Sequence, residues 1–446
     1  MRFLVLILIV FSELTAKGQI INTIVGNGTG GFSGDNGPAL SARISDPCAV
    51  AQDDSGNVYF ADCTNQRIRE YRIADGNIYT VAGTGVQGYS GDGGLATAAR
   101  LNNPACVALD DTGNIYVTDE SNCCIRKISH VTGIITTIAG TGGTAGYSGD
   151  GTQAVSALLA YPTGIVIDHS NTIYFCDYLN SRIRKITPNG LIYTIAGNGQ
   201  NGFFSDGGMA DTTTLNYPFG LDVDDSGNVF IADTYNNRVR KISVLDGRIY
   251  SIAGNGVYGY NSDGIAALLS ELAHPFGVAV DMNGNIYIGD GDNNRVRFVD
   301  HNTGMINTIA GTGNPAFSGD GGPATLAELH DPMGVSVDTY GNVYICDEDN
   351  HRIRKIPSIL GTGLNQPVSE NQIFPNPARD RIYLTLHENS VIEITDPAGR
   401  CVLSRCLTID SDTLTALDVS TLLSGVYFII VSGNSEKSFA SFVISR

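Results

Sequence analysis

Pro332-Met333-Gly334-Val335-Ser336-Val337-Asp338-Thr339-Tyr340-Gly341-Asn342-Val343-Tyr344-Ile345-Cys346-Asp347, continued by Asn350-His351-Arg352-Ile353-Arg354-Lys355-Ile356, is the stretch that decides the fold. Val335–Asp338 is short, apolar and β-branched and reads as a strand. Asp338–Asn342 is a turn, because Gly accepts φ > 0 and Asp and Asn bond their own backbone. Val343–Cys346 is a second strand, and Arg352–Ile356 alternates polar with apolar as a half-exposed third strand does. Ile306–Ala310, upstream, supplies a fourth. The whole unit occurs six times. Its proline falls at Pro47, Pro104, Pro162, Pro218, Pro275 and Pro332, with gaps of 57, 58, 56, 57 and 57 residues. A fixed period of this size specifies a repeat architecture.

Four short strands per unit, repeated radially, give an all-β, six-bladed β-propeller. A solenoid would need atypical capping repeats, and here the end copies look like the middle ones. The first strand, around Ile20–Val25, has no three-strand partner upstream, and the last unit stops at Ile356 without a fourth strand. Pairing of Ile20–Val25 with Arg352–Ile356 therefore closes blade six and covers an edge that would otherwise template aggregation.

The pattern Pro-x-Gly-Val-x-Val-Asp-x-x-Gly-Asn-Val-Tyr-x-x-Asp-x-x-Asn-x-Arg-Ile, read from Pro332 to Ile353, resembles the NHL repeat. Its longer variant, carrying a Ser-Gly-Asp-Gly-Gly-Pro-Ala insertion, is similar to the NHL domains of teneurins and of bacterial extracellular proteins. The resemblance spans about residues 20–360 and implies six blades. Departures are local: Cys124 stands where a strand-three Arg belongs, Asn171-Thr172 replaces Gly-Asn, and Phe298 replaces Lys.

Composition narrows the function. Against 27 Lys and Arg stand 45 Asp and Glu, for a net charge of −18. Phosphate neutralisation dominates nucleic-acid affinity, so this chain is not expected to bind nucleic acid. The strand-three arginines are expected to pair with internal carboxylates. Met1-Arg2 and the apolar run Phe3–Phe11 read as a signal peptide over residues 1–18. No stretch reaches the roughly 20 apolar residues of a membrane span. Nine cysteines are odd in number, so at least one has no intramolecular disulfide partner; they are read as small buried thiols.

After the propeller, residues 19–360, a Gly, Pro and polar linker covers 361–372. Residues 373–446 carry several short strands and read as a small Ig-like β-sandwich. Phe374-Pro375-Asn376-Pro377, Ile394-Thr395-Asp396 with Gly399-Arg400, Leu423-Ser424-Gly425-Val426-Tyr427-Phe428 and Phe442-Val443-Ile444 resemble the C-terminal sorting domain of type IX secretion. The resemblance implies passage through the periplasm, contact of residues 373–446 with the type IX secretion machinery, and a secreted or outer-surface destination. The closing Ser-Arg departs from the usual Lys pair, as does the pair Cys401 and Cys406.

For chemistry, residues present in every blade are scaffold, because one active site does not need six copies. The Asp ending strand two (Asp62, Asp119, Asp177, Asp233, Asp290, Asp347) and the turn Asp (Asp53, Asp110, Asp168, Asp224, Asp281, Asp338) belong there. One carboxylate per turn is too few for Ca²⁺. The inserted loops supply the candidate ligand-binding ring: Phe32, Tyr89 with Asp92, Tyr147 with Asp150, Phe204 with Asp206, Tyr260 with Asp263, and Phe317 with Asp320. Asp35 is the blade-one equivalent. Exposed together, they would stack sugar faces and accept hydroxyl hydrogen bonds. The other reading, which aromatic burial favours, packs each ring onto its own blade. Asp222 is the charged exception at its slot, where the other blades carry Ala51, Ala108, Val166, Ala279 and Ser336. No Gly-x-Ser-x-Gly turn is present. The expected function is a binding or adhesion module for an extracellular protein or glycan, with no cofactor. The alternative is a lyase or lactonase with Ca²⁺ or Zn²⁺ in the channel, built from Asp222 with His274 and His330.

Overall fold

The computed structural model describes residues 19–358 throughout, and beyond them 381–386, 390–395, 401–407, 413–422, 425–432 and 437–444. The signal segment 1–18 and the linker 361–372 lie outside the described residues. Two compact units divide between Pro357 and Ser358.

The first unit holds six antiparallel sheets, each a four-strand meander, three of them widened by a two-residue strand from the inserted loop. Blade one runs Pro47–Gln52, Val58–Asp62, Arg67–Arg72 and Asn77–Ala82. Blade six takes Pro332–Val337, Val343–Asp347 and Arg352–Ile356, and its fourth strand is Ile20–Val25 from the other end of the propeller. The closing register sets Asn22 opposite Lys355, Thr23 opposite Arg354 and Val25 opposite Ile353. The cores lie between blades. At the closure, Val25, Ile44, Val50 and Phe60 pack against Tyr344, Cys346 and Ile353.

A second set of inter-blade links runs round one face. The residue before each proline is in the left-handed region: Asp46, Asn103, Tyr161, Tyr217, His274 and Asp331, with φ between 45° and 54°. For residues with a Cβ this costs about 1–2 kcal/mol each. At five junctions its backbone N–H is held by a side chain of the preceding blade. The pairs are Asn103 to Gln66 Oε1, Tyr217 to Ser181 Oγ, His274 to Asn237 Oδ1, Asp331 to Asn294 Oδ1 and Asp46 to His351 Nδ1, at 2.5–3.3 Å.

Each blade builds an ion triad around a buried arginine, with a buried strand-two Asp and a partly exposed loop Asp. Arg69, Arg126, Arg184, Arg240, Arg297 and Arg354 are fully buried. One guanidinium nitrogen of each lies 3.0–3.3 Å from the Asp that ends strand two. The other lies 2.6–3.0 Å from the loop Asp. The strand-two Asp also accepts a loop backbone N–H, as Ser45 gives to Asp62 at 2.7 Å. Burial pushes Asp62, Asp119, Asp177, Asp233 and Asp290 up to about 6, against the pull of their arginines. The cysteine expectation is corrected at one place: Cys48 and Cys63 form a disulfide from the start of strand one to the residue after strand two. Cys106, Cys123, Cys124, Cys176 and Cys346 are free thiols.

In the second unit, Arg381–Leu386 pairs with Thr413–Asp418. Cys401–Leu407, Ser390–Thr395, Gly425–Ser432 and Lys437–Ile444 form a four-stranded antiparallel sheet in that order.

Removing a buried cation strands the buried strand-two carboxylate, here Asp233, and frees the partly exposed loop carboxylate, Asp206. Arg240→Ala is expected to cost about 3–5 kcal/mol in denaturant unfolding, whereas Arg240→Met with Asp233→Leu costs less. Equal losses in the two variants would show that packing, rather than charge, governs the site.

Candidate functional site

The loop aromatics stand on their own blades. Phe32, Tyr147, Tyr260 and Phe317 each lie 3.5–3.9 Å from the guanidinium of the outer strand-three arginine, which is Arg67, Arg182, Arg295 or Arg352. Tyr89 faces Arg126 at 5.0 Å, because Cys124 occupies the outer position in blade two. In blade four the stacking ring is Phe203, 3.8 Å from Arg238. Phe204, expected in the ring, is instead 82% exposed. The uniform spacing of three residues between aromatic and loop Asp is the signal that selects Phe203. Asp35, Asp92, Asp150, Asp206, Asp263 and Asp320 are all engaged by buried arginines. A planar cation over an aromatic face contributes about 0.5–2 kcal/mol, so these loops are stabilised from within each blade.

The channel is walled by strand one of every blade and holds a cavity of about 470 Å³. Asp222 lines it; Oδ1 accepts the Val223 N–H and Oδ2 the Val280 N–H of the next blade, both at 2.8 Å. Burial pushes its carboxyl up to about 7. Across the channel, Ser336 Oγ donates to Gln52 Oε1 at 2.8 Å, and Gln52 Nε2 is buried without an acceptor. His274 and His330 do not join Asp222. His274 Nδ1 lies 2.8 Å from Asp292, and His330 Nε2 lies 3.1 Å from Asp349. Among the described residues no three His, Cys, Asp or Glu side chains gather as a metal would need.

A feature that sequence reasoning missed lies where the left-handed residues and the first turn after strand two meet. Blades three to five carry a continuous aromatic arc there. Tyr178 meets Tyr217 at 5.2 Å, Tyr217 meets Tyr235 at 5.5 Å, Tyr235 meets His274 at 4.6 Å, and His274 meets Tyr258 at 5.1 Å. Phe219 and Phe276 lie beneath it, 5.4 Å apart. Tyr235 and Tyr258 are about half exposed. Asp292 fixes one end, accepting from Tyr258 and bonding His274, each at 2.8 Å. Beyond it the same slots turn acidic with Asp331 and Glu348. Burial, then the charge of Asp292, raises Asp331 to about 6, while burial and the charge of Asp331 raise Glu348 to about 9. The signal lay in slots that vary between blades, namely the residue before each proline and the two after each strand-two Asp.

Residues 372–445 match the secretion system C-terminal sorting domain. Residues 66–148 and 141–203 match the teneurin NHL domain, and 215–242 and 329–356 match the NHL repeat. Teneurin-1 of Gallus gallus is 30% identical over 389 residues, covering 77% of this chain and 14% of that protein. The chloroplastic protein SUPPRESSOR OF QUENCHING 1 of Arabidopsis thaliana is 27% identical over 298 residues, covering 64% of this chain and 28% of that protein. The chain thus spans well under half the length of these relatives. A Bacteroides thetaiotaomicron protein of unknown function has the same fold at a TM-score of 0.57 and 20% identity, with 76% of each chain covered. So does an auxiliary nutrient binding protein of that organism, at 0.54 and 15%, again with 76% of each chain covered.

The raised carboxyl pair gives a pH signature. Both folded values exceed the ordinary ones, so the pair's contribution is complete at low pH and is lost as pH rises through about 6 and about 9. Glu348→Gln is expected to match the parent near pH 5 and to be more stable near pH 9 by on the order of 1–2 kcal/mol. Thermal unfolding across that range checks it; a variant that loses stability at every pH would refute it.

Proposed function

We propose that this chain, whose NHL repeats precede a sorting domain that directs export through type IX secretion to the cell surface or outside, is a binding or adhesion module. Its ligand is an extracellular glycan or protein, taken on the propeller face that carries the aromatic arc. The observation that supports this reading is the confinement of Tyr178, Tyr217, Tyr235, His274 and Tyr258 to three consecutive blades. A scaffold role would repeat six times, as the arginine triads do. Exposed rings with hydroxyl and carboxylate neighbours offer flat apolar faces together with acceptors, the combination that sugars and peptide side chains both use. The loop ring of Phe32, Tyr89, Tyr147, Tyr260 and Phe317 is read as scaffold, and Phe204 as a free neighbour.

Glycan and peptide arrays probed with residues 19–358 identify the ligand class. Tyr235→Ala with Tyr258→Ala is expected to lower capture of any hit at least about tenfold, since each such contact contributes about 1–2 kcal/mol. Tyr147→Ala is expected to lower stability and leave capture intact. The reverse pattern would move the site to the loop ring.

A further inference from the structure

We propose that the channel cavity is a second, independent binding site, entered from the face of the strand-one-to-two turns, for a small primary amine with an apolar body whose ammonium group pairs with Asp222. This does not depend on the aromatic arc. The cavity wall runs from Cys48, Phe219, Phe276 and Gly334 to Asp54, Thr339 and Tyr340 in the turns. At the first end the strands crowd together. A Cβ on Gly164, Gly220, Gly277 or Gly334 would lie 2.3–2.6 Å from a carbonyl oxygen of the neighbouring strand. At the other end the lining reaches the turns, where Tyr340 is 70% exposed, and this end is the proposed entrance. A volume of about 470 Å³ suits a small molecule.

The lining is apolar along Leu109, Val166, Ile167, Val278 and Val337 and contains no Lys, Arg or His. Its carboxylates are Asp53, Asp54, Asp222 and Asp338. Asp53 and Asp338 are engaged by their own turns, each Oδ1 accepting two backbone N–H groups. Asp54 stands at the mouth. Asp222 lies deeper, takes one N–H on each oxygen and keeps a lone pair on each for a ligand. The charged group acting on it is Asp224, a like charge. An ammonium supplies the counter-charge, and the aliphatic walls take the alkyl body.

Isothermal titration of the chain with hexylamine, and with hexanol as the neutral match, tests this. At about pH 8 hexylamine is expected to bind at least about tenfold tighter than hexanol. Its affinity is expected to fall about tenfold at about pH 6, where Asp222 is protonated, and in Asp222→Asn. Equal binding of the two probes, no binding of either, or unchanged affinity in a folded Asp222→Asn would overturn the proposal. Should Asp222→Asn fail to fold for want of the Val280 tether, the parent's pH series decides alone, and a flat series sinks the idea.

Discussion

A guanidinium without water is the constraint on which this propeller is built. In each blade the inner strand-three arginine is sealed from solvent, and a buried cation is tolerated when it is paired and hydrogen-bonded. One carboxylate ends strand two and is fixed by sequence proximity. The other must come from the inserted loop, 34 residues away in every blade. The loop is therefore drawn back over its own blade, and the aromatic three residues earlier arrives over the guanidinium groups. Twelve of the chain's 45 acidic residues and six of its arginines are accounted for in this way, a net −6 of the −18.

That constraint settles where function is free to vary. Side chains locked into the triads are identical from blade to blade. Those before the prolines are not, because the inter-blade clamp uses only their backbone N–H. The side chain at that slot is open to substitution, and it reads Asp46, Asn103, Tyr161, Tyr217, His274, Asp331 around the ring. Neighbouring slots change in step, with Tyr178 and Tyr235 on the aromatic side and Glu348 on the acidic side. A six-fold scaffold thus presents a two-sided surface without altering a strand.

The fold was legible because a 57-residue period and an orphan first strand leave one way to close the sheets. The arginine partners were legible too, since a repeated Arg beside a repeated Asp in an acidic chain has few alternatives. Phe204 was misplaced because two adjacent phenylalanines compete for one slot, and spacing to Asp206 separates them. The Cys48 and Cys63 disulfide was hidden because the residue after strand two returns beside the start of strand one only once the sheet forms. The aromatic arc was hidden for a related reason: its touching members lie 16–39 residues apart, and the sequence brings them together only through blade-to-blade packing.

The two ends of the channel differ because strand one is not equally crowded along its length. Four consecutive blades carry glycine two residues after the proline, at Gly164, Gly220, Gly277 and Gly334, where the neighbouring carbonyl leaves no room for a Cβ. Blades one and two carry Ala49 and Cys106 at that slot, so the crowding is eccentric. At that end Phe219 stands edge-on to Phe276, and both rings adjoin members of the aromatic arc. On the proposed reading, a macromolecule on the arc would meet ring faces, while a small molecule would enter the cavity from the turns. The two sites proposed for this toroid would thus owe their separation to a single packing asymmetry.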